Sequence, residues 1–395
     1  MMNAVLALLL CILTISRASP GLRVPTWAPD ELKRATAEFC KEHSLTKRKS
    51  TVQVFDAFRF DNQLDMLEIR LLELNATVDF FIILESNETL LNEPKPLHYA
   101  ENSQRFASFA DKIVHVLLDT ETDDKTSYRR WQQQAEKAVA GSEALEARRK
   151  RSGRQDESFY RDWWQQEQLW ERGVAPRANR GDLVILGKVD MIPRTDTLEG
   201  LCGCHFEAKN DCAIMEGSTF QYSYSSYTGP QAGGPKVLAY RQEETMKGMD
   251  QGGLRFQEEC TMRLPGTSTQ CLECFSTIRA FQAVASAESQ HGSEPSSAIA
   301  QSILSKVRQG TTPPGAGEEQ AAQQSTEYCH WAPKAVLENP HAYHHMLARD
   351  AVTGSFSDYQ EHFGRGKQRQ KKSSKLRLRR HGASGSSISV SSSIS

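Results

Sequence analysis

The chain has 395 residues, with 38% hydrophobic and 25% charged content. That is a globular balance with room for a large core in one large domain or two closely joined ones. A formal net charge of −1 excludes any argument about partners from charge alone, and the distribution is uneven, with a strongly basic C-terminal end.

The first element is apolar. Residues 4–15 form a hydrophobic stretch too short for a comfortable bilayer span, which takes about 20 apolar residues. Ala18 and Ser19 follow as small residues at a plausible cleavage point. Residues 1–20 are therefore read as a secretory signal peptide or a short signal anchor, and both place the rest of the chain in a lumenal or extracellular setting. Cysteine usage agrees: without Cys11, eight remain, an even number suited to disulfides whose connectivity sequence does not give. The CLEC run at 271–274 has no second CxxC or His pair at finger spacing to complete a zinc site. Asn75 and Asn87 open N-glycosylation sequons, the first at the end of a predicted helix and the second, preferred, in a loop.

Residues 21–50 are mixed and charged, as expected of a stem or capping segment. TVQVFDAF, from Thr51, reads as a strand. The next segment places Leu64, Leu67, Leu71 and Leu74 on one helical face, with Asp61 or Asn62 as its cap. VDFFIILES at 78–86 is a nearly unbroken apolar run, the mark of a strand covered on both faces. A short amphipathic helix and a third strand at 112–119 follow. Residues 128–172 read as one or two long helices with a break near Ser152 and Gly153, and the charged part near 128–160 as a helical insertion. GDLVILGKVD from Gly181 is the fourth strand, which makes the domain α/β and doubly wound. Beyond it, FQYSYSSYTG at 220–229 alternates as an antiparallel strand would, with PKVLAYR at 235–241 as partner. ECFSTIRAFQAVASAES reads as a helix, 309–326 as a flexible loop, and residues 332–350 as a helix interrupted at Pro340. His341, His344 and His345 are expected on its exposed face. The tail, 351–395, is basic and Ser-rich and lacks the apolar periodicity to order itself. In a lumenal protein it is a solvated tail or processing site, with nucleic acid excluded as a partner.

Lys188 and Asp190 stand where a buried parallel strand hands its last residues to a binding crevice. From spacing alone, Asp190 either holds a nucleotide or its metal, or caps the turn toward Pro193. Walker loops, a Rossmann GxGxxG after a strand and a GxSxG elbow are all missing, which removes weight from ATPases, classical dehydrogenases and α/β-hydrolases.

The segment VFDAFRFDNQLDMLEIRLLELNATVDFFIILESNETLLNEPKPLHYAEN resembles the opening of glycosyltransferase family 17. These are the β-1,4-mannosyl-glycoprotein β-1,4-N-acetylglucosaminyltransferases that add bisecting GlcNAc. The shared pattern falls on Asp56, Phe58, Asn62, Leu64 to Leu71, Val78, Asp79, Glu85, Ser86, Lys95, Pro96 and Leu97, with Gln63 where the family prefers Glu. GDLVILGKVDMIPR, KVLAYR, CLECF and WAPKAVLENPHAYHHML resemble later family segments, so the likeness runs in order over about 52–350.

The resemblance implies a GT-A-like nucleotide-sugar transferase domain at 51–350, mostly parallel with an antiparallel C-terminal part. It also implies UDP-GlcNAc as donor, a glycoprotein N-glycan as acceptor, and residence in the secretory pathway, in the Golgi lumen or secreted. Membrane contact would come only through the N-terminal segment if it is uncleaved. Two departures stand out. The family's D-x-D-E is K-V-D-M here, Lys188 to Met191, and its Trp-His before CxxC is Thr269-Gln270. One aspartate beside an ammonium is a poor oxygen site for Mn²⁺ or Mg²⁺, so Asp190 is the one metal ligand to consider. Two readings of Lys188 remain open: a cation that replaces the metal, or the trace of a lost activity in a glycan-binding scaffold. In an active enzyme Asp190 and Lys188 act on the donor, while Asp56, Glu85, Lys95 and Arg194 line its pocket. The alternative for Asp56 and Glu85 is helix capping or a salt bridge to Arg70. The general base is not identified, Glu216, Glu258 and Glu259 being the candidates.

Overall fold

The computed structural model describes residues 29–119, 123–151, 156–206, 212–231, 233–241, 260, 262–282, 296–309, 323–350 and 352–363. The expected signal segment, the loop at 310–322, the tail from 364, and the candidates Glu258 and Glu259 lie outside them. No helix among the described residues is long and apolar enough to cross a membrane.

The strands are β1 (Thr46–Lys47), β2 (Val54–Arg59), β3 (Phe80–Ser86), β4 (Ile113–Leu118), β5 (Leu183–Lys188), β6 (Met191–Pro193), β7 (Cys204–His205), β8 (Cys212–Gln221), β9 (Ser226–Pro230), β10 (Lys236–Ala239), β11 (Met262–Leu272) and β12 (Gln323–Gln324). Ten of them form one mixed sheet in the order β12-β9-β8-β10-β5-β2-β3-β4, with β11 lying against β8 and β6. The run β5-β2-β3-β4 is parallel. β10 is antiparallel to both β5 and β8, and β11 is parallel to β8. Two reversals cancel, so β8 and β11 run in the same direction as β2 to β5. The fold class is therefore α/β with a mixed sheet.

The continuous apolar strands divide by their period of two. Phe55, Ala57, Ile82, Leu84 and Val184 face a layer containing Tyr128, Trp131, Trp163 and Trp164. Val54, Phe58, Phe81, Ile83, Leu183 and Ile185 face the helix Leu64–Leu74 and the C-terminal segment around Val336 and Met346. A third, smaller core gathers Tyr222, Phe275, Ile278, Phe281, Leu304 and Phe356.

Several expectations change in three dimensions. Within the segment expected as a stem or cap, Pro29–Glu42 is a helix bonded by Cys40 to Cys204. It lies so close to its neighbour that a Cβ at Gly200 would meet the Phe39 ring at 2.9 Å, and one at Gly203 would meet Thr36 at 2.0 Å. The 128–160 region is three helices, Asp123–Ala140, Glu143–Arg151 and Asp156–Gln168; Glu143–Arg151 carries the charge, while the flanking helices bury aromatic residues against the sheet. The alternating 220–229 stretch is not one strand. β8 ends at Gln221, Tyr222 turns with φ +67°, and β9 returns as a hairpin. β10 pairs instead with the first half of β8 and with β5. The helix Leu64–Leu74 begins after Gln63 with no side-chain cap, so neither Asp61 nor Asn62 caps it. Besides Cys40 with Cys204, disulfides join Cys212 to Cys260 and Cys271 to Cys274.

Candidate functional site at the carboxyl ends of the parallel strands

In an open α/β sheet the ligand crevice lies outside the carboxyl ends of the strands, where the strand order reverses. Here that point is β2, because β3 and β4 follow it to one side while β5 flanks it on the other. Arg59 at the end of β2 lies level with Lys188 at the end of β5. The Lys188 side chain is exposed.

The turn carrying Lys188 is held from below by a residue that sequence reading treated only as a possible ion-pair partner. Arg70 is fully buried in the apolar face of helix Leu64–Leu74. Its Nε donates to Asp56 Oδ2 at 2.7 Å and a terminal nitrogen donates to Oδ1 at 2.6 Å, with both side chains 0% exposed. The other terminal nitrogen donates to the carbonyls of Lys188 and Met191, and the guanidinium lies over the Phe58 ring. Asp56 thus spends both oxygens on Arg70 and acts on the crevice only through it. The visible signal in the sequence was an arginine set among the buried positions Met66, Leu67 and Leu74.

Glu85 is likewise turned inward. Its carboxylate accepts from the backbone N–H groups of Tyr99 (2.7 Å) and Ala100 (3.2 Å) and lies 3.2 Å from His115 Nε2. It therefore anchors the short helix His98–Glu101 and the loop before it. That loop delivers Lys95, whose Nζ is enclosed with no hydrogen-bond partner and reaches only Asp61, at 3.9 Å. Burial pulls the Lys95 ammonium below its ordinary value against the opposing charges of Asp61 and Glu85. His98 is also shifted down, by burial and then by Lys95.

Asp190 lies behind the turn, 4% exposed. Gln270 donates to its Oδ2 at 3.2 Å, while Oδ1 has no partner. Burial pushes the carboxyl upward, against the charge of Lys188. Arg194 is on the outside of the next helix start, exposed and 3.7 Å from Asp196. The fold thus brings Lys188, Asp190 and Lys95 to the strand edge, sets Asp56 and Glu85 beneath it, and leaves Arg194 at the surface. Glu216 lies mid-strand in β8 and pairs with Arg263. His341 and His344 are exposed, but His345 is buried against Asp65 at 3.6 Å, not on the expected exposed face.

Two further polar residues on this edge were not among the site candidates read from sequence. Glu273, just past β11, takes φ +51° and accepts from Gln221 Nε2 at 2.7 Å. Asp61 stands 79% exposed after β2. Among the described residues no group of three or more His, Cys, Asp or Glu could hold a metal ion. Asp190 offers one enclosed oxygen and has an ammonium neighbour, a donor set that does not fit a divalent cation.

The two sequons differ in surroundings. Asn75 is exposed at the end of its helix, whereas the half-buried Asn87 amide donates to Asp119 at 2.8 Å. Exposure runs opposite to the preference read from sequence.

Residues 16–154 match the family model for glycosyltransferase family 17. Over 77 residues, 19% of this chain, it is 34% identical to the β-1,4-mannosyl-glycoprotein 4-β-N-acetylglucosaminyltransferases of Rattus norvegicus and Homo sapiens, and 32% identical to that of Mus musculus. The matched stretch spans 14% of the length of each relative. The family-model match includes the elements that carry Asp56, Glu85 and Lys95, while residues 181–194 lie beyond it. Over residues 16–154, the chain is related at the family level to glycosyltransferase family 17.

Proposed function

We propose that the chain is an inverting glycosyltransferase of GT-A-like fold. In this reading it moves N-acetylglucosamine from UDP-GlcNAc to a mannose of a glycoprotein N-glycan in β-1,4 linkage, in the Golgi lumen or after secretion. The observation that carries the reading is a cation on each side of the carboxyl end of β2: Lys188 exposed on β5, and Lys95 enclosed without a hydrogen-bond partner beside β3. A nucleotide diphosphate laid across the switch point supplies the anionic oxygens that both ammonium groups call for. The names of the relatives, which are N-acetylglucosaminyltransferases, support N-acetylglucosamine as the sugar in this reading.

The residues divide the work. The Asp56 and Arg70 pair fixes the turn that presents Lys188. Lys188 and Lys95 neutralise charge that grows on the leaving UDP as the glycosidic bond to phosphate breaks. Glu85 holds the loop that carries Lys95. Asp190, buried behind the turn and bonded by Gln270, acts on the donor only through the turn that carries Lys188. Since the donor set does not fit a divalent cation, no step is routed through one.

A second reading has its own support: Asp56 and Glu85 are consumed inside the fold, which a non-catalytic glycan-binding scaffold also requires. Assays of UDP release on an N-glycan acceptor, with and without EDTA, separate the two. Turnover that survives chelation and falls at least 100-fold in Lys188→Ala supports the transferase. Metal-dependent turnover overturns the role given to Lys188. Glycan affinity without UDP or UDP-sugar binding favours the scaffold.

A further inference from the structure

The transfer reading lacks a base for the acceptor hydroxyl, and we propose that Glu273 is that base. The proposal rests on the transferase reading above.

β11 runs antiparallel to β6 with Ser268 opposite Pro193, Thr269 opposite Ile192 and Gln270 opposite Met191. The next step is also made, since the Cys271 N–H donates to the Asp190 carbonyl at 3.3 Å. Val189 and Asp190 form the turn from β5 to β6, and Glu273 leaves β11 two residues past Cys271, beyond that turn. The direction of β11 matches that of β2 and β5, so Glu273 leaves its strand at the same edge as the two lysines. Donor cation and carboxylate thus leave the sheet at one edge from two separate strands.

The carboxylate is held there. Gln221, the last residue of β8 and the register partner of Leu272, donates to Glu273 Oε2 at 2.7 Å. Glu273 itself has φ +51° and its cross-strand neighbour Tyr222 has φ +67°. Two adjacent parallel strands therefore both end in a left-handed, non-glycine residue. Such conformations persist where the surrounding structure over-determines them, commonly at sites that aim a group. Here the Tyr222 N–H donates to the Leu272 carbonyl at 2.9 Å, which closes the turn and points the chain at Glu273 off the strand line. Glu273 is half-buried, so its carboxylate is held yet reachable.

Six other carboxylates are less suited. Asp56 and Glu85 are fully enclosed and bonded. Asp190 lies behind the turn, Glu216 pairs with Arg263 mid-strand, and Asp61 leans on Lys95. Asp119 follows β4, the far edge of the parallel run, and is bonded to Asn87.

The step balances as follows. The acceptor O–H gives its proton to the Glu273 carboxylate while its oxygen forms the new bond to the anomeric carbon. The bond from that carbon to the β-phosphate oxygen breaks, and its electron pair leaves with UDP beside Lys188. Glu273 then returns the proton to solvent.

The test uses the full chain with UDP-GlcNAc and an N-glycan acceptor. In Glu273→Gln, kcat is expected to fall 100- to 10,000-fold, the usual weight of a general base, with UDP-GlcNAc affinity within twofold of wild type. Formate is expected to restore part of the turnover of Glu273→Ala. In wild type, kcat/KM is expected to fall with pH along an acidic limb that needs no variant to measure. Glu273→Gln turnover within threefold of wild type, or a flat acidic side in the wild-type profile, overturns the assignment alone. Absence of UDP-GlcNAc binding by wild type overturns the transferase reading and this step with it.

Discussion

Arg70 offers the sharpest test of how the fold builds the site. Arg70→Met keeps length and apolar character but leaves the Asp56 carboxylate, 0% exposed, without a counter-charge. Breaking one side of a buried ion pair costs about 3–5 kcal/mol, and the Lys188 and Met191 carbonyls lose their donor as well. The double variant Asp56→Leu with Arg70→Met removes both charges and refills the space with apolar atoms, so it should recover most of that loss, within about 2 kcal/mol of wild type. Urea denaturation of the two singles and the double closes the cycle, with an expected coupling of at least about 4 kcal/mol. Affinity for UDP-GlcNAc is expected to remain weak in the double variant, because stability returns but the anchor of the Lys188 turn does not. A stability change below about 0.5 kcal/mol for Arg70→Met, the size of an ordinary surface substitution, would refute the reasoning. So would additivity of the two singles.

Other expectations follow from the same geometry. Lys188→Ala should leave stability within about 0.5 kcal/mol, as an exposed position, so its effect belongs to turnover; a large loss on denaturation would argue otherwise. Burial and then the Arg349 charge depress the His345 imidazole to about 3 despite Asp65 beside it, with His344 and Arg105 adding to the depression. The unfolded chain therefore binds the extra proton first, and stability present above the unfolded value of 6.5 is lost as pH falls toward 3, by roughly 1.4 kcal/mol per unit. His345→Gln should flatten that slope in denaturation curves, and an unchanged slope counts against it. The Cys40 to Cys204 bond spans 164 residues, so the Cys40→Ser, Cys204→Ser pair should lose about 2–5 kcal/mol under oxidising conditions. On protein secreted from cells, Asn75→Gln should remove a glycosidase-sensitive mass shift that Asn87→Gln leaves in place; the opposite pattern would show that exposure does not govern use of these sequons.

Much of the parallel half of the fold could be read in advance. VDFFIILES and GDLVILGK are unbroken apolar runs of strand length, and only a sheet covered on both faces accommodates them, as β3 and β5 are. The break after Gln221 was not legible, because alternating FQYSYSSYTG satisfies a strand pattern throughout, and only the left-handed Tyr222 and the β9 return divide it. The site was half legible. Lys188 and Asp190 were placed by the rule that strand ends face the crevice, and Lys95 by resemblance. Glu273 was hidden between two cysteines, where one residue type carries no periodicity.

Sequence by itself thus determined the strands and the first helix of the parallel half and the unusual lysine at a strand end, since these depend on local period and residue type. Tertiary structure alone decided what each charge does. Asp56 and Glu85 look like ligand carboxylates in one dimension, but they are spent on Arg70, on backbone N–H groups and beside His115 from chain positions 14 to 30 residues away. A carboxylate's partner is set by which strands lie side by side, and strand order is written in packing between distant segments, not in any one of them.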